Sequence, residues 1–121
     1  MRVMVIIKAT RNSESGTMPG PELLAAMSRF NEEIMSSGTL LSGEGLRPSS
    51  HGRRVRIVDG VREVSSGPFS LASGLLAGFW IWRVDSIEEA IELVKRCPDP
   101  MPGEESEIEI RPLFEVTDFG A

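Results

Sequence analysis

Leu75 to Val84, reading Leu-Leu-Ala-Gly-Phe-Trp-Ile-Trp-Arg-Val, is the segment that most restricts what this chain can fold into. Ten residues with so many aromatic and β-branched side chains read as a strand, and the strand is apolar on both of its alternating sides. Phe79 and Ile81 point one way, Trp80 and Trp82 the other. A strand of this kind has to be covered on both faces, so it belongs at the centre of a sheet. Just before it, Gly67-Pro68-Phe69 forms a turn in which glycine supplies backbone freedom, proline fixes one torsion and phenylalanine supplies a plug. A stiff turn feeding a doubly covered strand predicts a shaped cleft where the strand begins.

The remaining elements follow in order. Val3-Met4-Val5-Ile6-Ile7 is a short β-branched-rich run and reads as a second central strand. Thr10 to Gly20 is polar and reads as a mobile connection. Pro21 and Glu22 suit a first helical turn, and Leu23, Met27, Phe30 and Ile34 form one apolar stripe that Gly38 ends. Thr39 to Leu46 reads as a strand interrupted by Gly43 and Gly45. Arg54–Val58 and Val61–Val64 flank Asp59-Gly60, a hairpin signal. Ser86 with Glu89 is a capping box opening a helix whose buried face is Ile87, Ala90, Ile91 and Val94, and Pro98 stops it. Glu107 to Phe114 alternates as a half-buried strand, placed at an edge by Pro112.

With the hairpin as an insertion, this order is the ferredoxin-like βαββαβ pattern, an α+β fold whose first and third main strands are central. Those are the two most apolar strands here. Two helices cover only one face of such a sheet, so a second copy of the chain is expected on the other, making a homodimer. Trp80 and Trp82 are assigned to that dimer interface or cleft.

Composition narrows the function classes. At 121 residues the chain reads as one domain, 1–121. Its formal net charge of −5 argues against a nucleic-acid partner, which calls for a basic face. Arg53, Arg54, Arg56 and Arg62 cluster, and the pattern reads them as the outer side of the hairpin. Cys97 is the only cysteine, so no internal disulfide forms. No run reaches the ~18–20 apolar residues of a membrane span. The expectation is a cytoplasmic protein with no membrane partner.

The ordered motifs resemble one family. Met4-Val5-Ile6-Ile7-Lys8, the helix start Glu22-Leu23-Leu24-Ala25-Ala26-Met27 and Gly43-Glu44-Gly45-Leu46-Arg47-Pro48-Ser49-Ser50 are similar to YCII-related proteins. So are Gly67-Pro68-Phe69, Ala77-Gly78-Phe79-Trp80 and the closing Glu105 to Pro112. The branch resembled is the one named for an Asp-Gly-Pro-Phe motif. The resemblance implies the dimeric α/β-barrel fold, in which two ferredoxin-like sheets enclose a cleft. Relatives include isomerase-like and dehydrochlorinase-like enzymes acting on oxygenated rings, and members associated with extracytoplasmic-function sigma factors. Here the motif Asp is Ser66, and the histidine often seen before Pro-Ser-Ser is Arg47. A carboxylate able to act as a general base is therefore missing from the turn.

Seven residues are candidates for a ligand site: Lys8, Glu44, Ser66, Pro68, Phe69, Glu109 and Arg111. Lys8 ends a central strand, where it either meets an anionic ligand or sits in water. Glu44 lies between two glycines, open to a ligand or to a neighbouring arginine. Glu109 and Arg111 share a face of the last strand, and they either orient a carboxylate or enol in the cleft or form a surface pair. His51, the only histidine, has no orienting partner for nucleophilic chemistry, and the acidic residues lack metal-ligand spacing. No cofactor or metal is implied. The expected function is a homodimer holding a small oxygenated or anionic ligand. The alternative is a cofactor-independent enzyme that moves a proton on a small oxygenated ring.

Overall fold

The computed structural model describes residues 1–120. Its strands and helices are β1 (Arg2–Lys8), α1 (Arg11–Glu14), α2 (Pro21–Ser36), β2 (Leu40–Gly45), β3 (Arg53–Val58), β4 (Val61–Ser66), β5 (Leu76–Arg83), α3 (Ile87–Arg96) and β6 (Ile108–Pro112). Four strands form one antiparallel sheet in the order β2-β5-β1-β6, so the two most apolar strands occupy the centre. Strands β3 and β4 pair only with each other. This is the ferredoxin-like α+β arrangement with a hairpin inserted between its second and third main strands.

Register explains the core. Val3 pairs with Trp82 and Val5 with Trp80. These four side chains share the face on which Phe30 and Ile34 of α2 and Ala90 of α3 are also buried. Phe30 lies 5.7 Å from the Trp80 ring and 6.1 Å from that of Trp82. Both tryptophans belong to the helix-covered core, so the assignment to a dimer interface or cleft is corrected for Trp82, which is fully buried within one chain, while Trp80 also borders the groove described below. Period-two alternation shows that both sides of β5 are apolar, but it carries no information on which side meets the helices. The side left uncovered is the other one, where Met4 and Ile6 of β1 and Phe79 and Ile81 of β5 are half-buried.

Local chemistry accounts for the element ends. The first part of the 10–20 connection is a capped short helix, α1, rather than loop. Thr10 caps α1, its hydroxyl accepting the Ser13 N–H while the Ser13 hydroxyl accepts the Thr10 N–H. Pro21 opens α2, and Gly38 beyond its end has φ 77°. Ser86 caps α3 by accepting the Glu89 N–H, but the Glu89 carboxylate reaches back to the Asp85 N–H, one residue beyond the usual partner. Asp59 and Gly60 both have positive φ, as a tight hairpin turn needs. Cys97 is half-buried, and that burial together with the Asp99 charge pushes its thiol pKa up.

Candidate functional site

The seven candidates fall into three places. Lys8, Glu109 and Arg111 meet on the uncovered face: Glu109 carboxylate oxygens lie 3.3 Å from Lys8 Nζ and 3.1 Å from Arg111 Nη1. The Arg111 hydrogen bond, then Lys8, hold the Glu109 carboxyl below its ordinary range. Glu44 stands at the far edge of the same row, since Glu44 pairs with Phe79, Phe79 with Ile6, and Ile6 with Glu109. Two apolar side chains separate the carboxylates. The expected convergence of Glu44 with Lys8 and Arg111 does not occur within one chain, because β2 and β6 are opposite edges of the sheet.

Ser66, Pro68 and Phe69 form the third place. Ser66 is the last residue of β4, paired with Arg53, and is exposed. The Phe69 N–H donates to Ser49 Oγ at 2.9 Å. Ser49 in turn donates its own N–H at 2.9 Å, and its hydroxyl, to the Glu14 carboxylate. The Arg54 guanidinium stacks over the Phe69 ring at 4.0 Å. Gly67 is required here: a Cβ would stand 1.7 Å from the Ser49 carbonyl oxygen. The turn is thus a clasp that joins the hairpin base to the Ser49 turn and to α1.

A groove of about 880 Å³ lies between α2, the 16–20 loop, the β2 edge and the 100–104 loop, and the turn residues Gly67, Pro68 and Phe69 do not line it, so the cleft expected at the turn lies elsewhere. Met18, Leu23, Met27 and Met101 line it, with Trp80 at its floor, where the indole N–H donates to Asn31 Oδ1 at 3.0 Å. Gly43 lets that indole lie against β2, since a Cβ would approach Trp80 Cδ1 to 2.6 Å. Polar groups are few. Arg47 belongs to the wall, the β2 backbone edge passes it at Glu44, and Glu104 accepts the Asn12 N–H. Arg47 has no ion-pair or hydrogen-bonding partner among the described residues. Four of the six methionines, Met18, Met27, Met35 and Met101, line the groove.

Of the residues assigned from sequence, the groove takes only Glu44 and the Trp80 floor. Met18, Met101, Asn31 and Glu14 went unnoticed, because they come from separate segments and share no spacing. Lys8 borders a smaller hollow of about 610 Å³ with Arg11, Leu71 and Glu107. Among the described residues, no three His, Cys, Asp or Glu side chains gather as a metal site.

The model of the YCII-related domain matches residues 1–115. The chain belongs to the YCII-related family. A YCII-related chain with this fold is also similar to a solved structure, the 5-chloro-2-hydroxyhydroquinone dehydrochlorinase TftG from Burkholderia phenoliruptrix AC1100 in complex with 2,5-dihydroxybenzoquinone. The TM-score is 0.56 over 98% of each chain, at 13% identity. That likeness concerns the fold. No curated protein matches this YCII-related chain.

Proposed function

We propose that this YCII-related protein is a homodimer that binds a small, planar, oxygenated or anionic organic molecule in the groove between α2 and β2. The observation that carries the reading is a largely apolar groove of about 880 Å³ with Arg47, an arginine without an ion-pair partner among the described residues, in its wall. Small-molecule sites are commonly apolar cavities of ~300–1,000 Å³ with a few placed polar groups. Thioether and aromatic walls suit a flat polarisable ring, and a guanidinium suits its anionic oxygen. The quinone in the TftG structure supplies a chemically sensible first probe. Binding is favoured over turnover because Ser66 stands where the motif has a carboxylate.

The dimer reading rests on the uncovered face of the sheet. Met4, Ile6, Phe79 and Ile81 form its apolar middle, edged by Glu44 on one side and by Glu109 and Arg111 on the other. A second copy is the cover these groups fit, and Lys8, Glu109 and Arg111 then border the space between two sheets.

Calorimetry with 2,5-dihydroxybenzoquinone and 2,5-dihydroxybenzoate tests the ligand reading. One site per chain is expected, weakened about tenfold by Arg47→Ala through loss of a charge-assisted hydrogen bond. Met27→Trp, which fills the groove, is expected to abolish it. Binding that survives both changes, or no binding to either probe, rejects the reading.

A further inference from the structure

The groove-facing side of α2 holds one polar residue among apolar ones. Leu24, Met27, Asn31 and Met35 recur at spacings of three or four residues, which puts them on one stripe of the helix, and all four line the groove. Phe30 and Ile34 turn to the sheet instead and are buried in the core. An asparagine is a poor helix former and brings polar atoms into an apolar wall. What its two ends reach therefore decides what it does there.

One end is accounted for. Asn31 Oδ1 accepts the Trp80 indole N–H at 3.0 Å. An indole N–H donates and cannot accept, which fixes the amide: its oxygen faces Trp80, and Nδ2 with its two N–H groups faces away. Nδ2 has no hydrogen-bonding partner among the described residues, and the buried side-chain atom left unpartnered among them is Trp82 Nε1, not this one. Asn31 is half-buried, so its unpartnered nitrogen is open to solvent, and its stripe opens on the groove. The amide is also held in place. Its partner ring packs on Phe30 and lies against Gly43, where a Cβ would stand 3.3 Å from Trp80 Nε1. A donor anchored to a packed ring loses little freedom when a ligand oxygen meets it.

We infer that Asn31 Nδ2 donates a hydrogen bond to a carbonyl or enolate oxygen of the molecule in the groove, so the ring held there carries such an oxygen at the α2 side. This inference rests on the groove being the ligand site. Asn31 adds a neutral donor on α2 to the charged one of Arg47, which follows β2. An N–H group of a ligand in that position would meet the amide donor to donor and leave both unpaired.

Nuclear magnetic resonance of the whole chain tests the bond. The sequence has two asparagines, Asn12 and Asn31, and no glutamine, so a nitrogen-15 spectrum shows two side-chain NH2 pairs, which Asn12→Ser assigns. Saturation with 2,5-dihydroxybenzoquinone is expected to move the Asn31 protons downfield and to slow their exchange with water. The Met27 methyl signal reports independently that the groove is filled. A shifted Met27 methyl with an unmoved Asn31 pair overturns this inference and leaves the groove reading standing; no binding removes both. Asn31→Asp keeps an oxygen for the Trp80 indole but removes the donor, so its urea midpoint is expected to match the parent's. Its affinity for the neutral 2,5-dimethoxybenzoquinone is expected to fall about threefold or more, and for the anionic dihydroxy compound further still. A loss confined to the anionic probe is charge repulsion alone and overturns the inference. If Asn31→Asp fails to fold, the shift of the Asn31 pair in the parent decides the matter.

Discussion

Trp80 and Asn31 are joined across the helix–sheet boundary by an indole N–H···O bond of 3.0 Å, whereas the neighbouring Trp82 buries its indole N–H without a partner among the described residues. The rings lie 5.3 Å apart and pack on the same Phe30, so the difference lies in what each nitrogen reaches. Asn31 therefore fastens β5 to α2 at the floor of the groove. Asn31→Leu leaves the nearly buried Trp80 N–H unpaired and is expected to lower unfolding free energy by ~1–3 kcal/mol. Urea unfolding followed by tryptophan fluorescence measures it; no change in midpoint would show that the bond contributes nothing.

Gly67→Ala is expected to be among the most damaging single changes outside the core. Its Cβ would collide with the backbone oxygen of Ser49, and backbone on both sides of the contact cannot swing away as a side chain can. Overpacking of this kind costs ~1–3 kcal/mol or more. Gly60→Ala, where nothing stands within 4 Å, separates the steric cost from the cost of positive φ. Thermal unfolding that ranks Gly60→Ala as the worse of the two would contradict the clasp.

Ser49→Ala removes the hydroxyl that accepts from Phe69 and donates to Glu14. It is expected to cost ~1–2 kcal/mol and to speed hydrogen exchange at the Phe69 amide, while the amides of β1 and β5 keep their protection. Exchange that rises equally across the sheet would mean a global effect instead.

Ile81→Arg is expected to give monomers at micromolar concentration by light scattering, with the circular dichroism of the parent. Ile81 lies on the open face, paired with Met4 and Ser42, so a charge there leaves the helix-packed core intact. A dimer that persists unchanged would remove the open face as the interface.

Glu109 and Glu115 set an acid-side dependence. Arg111 and Lys8 hold the Glu109 carboxyl below its ordinary range, and Arg2 does the same for Glu115. A carboxylate with a depressed folded-state pKa contributes stability that is present above its unfolded pKa and lost as pH falls through the folded one. Both groups face solvent, so the effect is small and screened by salt. The double variant Glu109→Gln, Glu115→Gln is expected to lose less stability between neutral and acid pH than the parent. An unchanged pH slope in low-salt denaturant titrations would count against both pairs.

How much was legible in the sequence differs between fold and site. The strands and the two long helices are written in local pattern: Val3 to Ile7 as a β-branched run, Leu23 to Ile34 as a helical stripe, Asp59-Gly60 as a turn, Ser86 and Glu89 as a cap. Each depends on neighbours a few residues apart, and the ferredoxin-like order then places the two most apolar strands at the centre. The orientation of β5 was beyond that reach, because two apolar faces look alike until α2 packs on one, and only the register of Val3 and Val5 against Trp82 and Trp80 decides it. The groove was beyond it for the same reason. Met18, Met27, Arg47 and Met101 are distant in the chain and meet only because the 16–20 loop, α2, the β2 edge and the 100–104 loop fold around one space. Glu109 and Arg111 were visible as a pair two residues apart on one strand, while Glu44 was separated from them by the strand order. Local elements come from short-range sterics and periodicity, and a site is built from long-range contacts that no window of sequence contains.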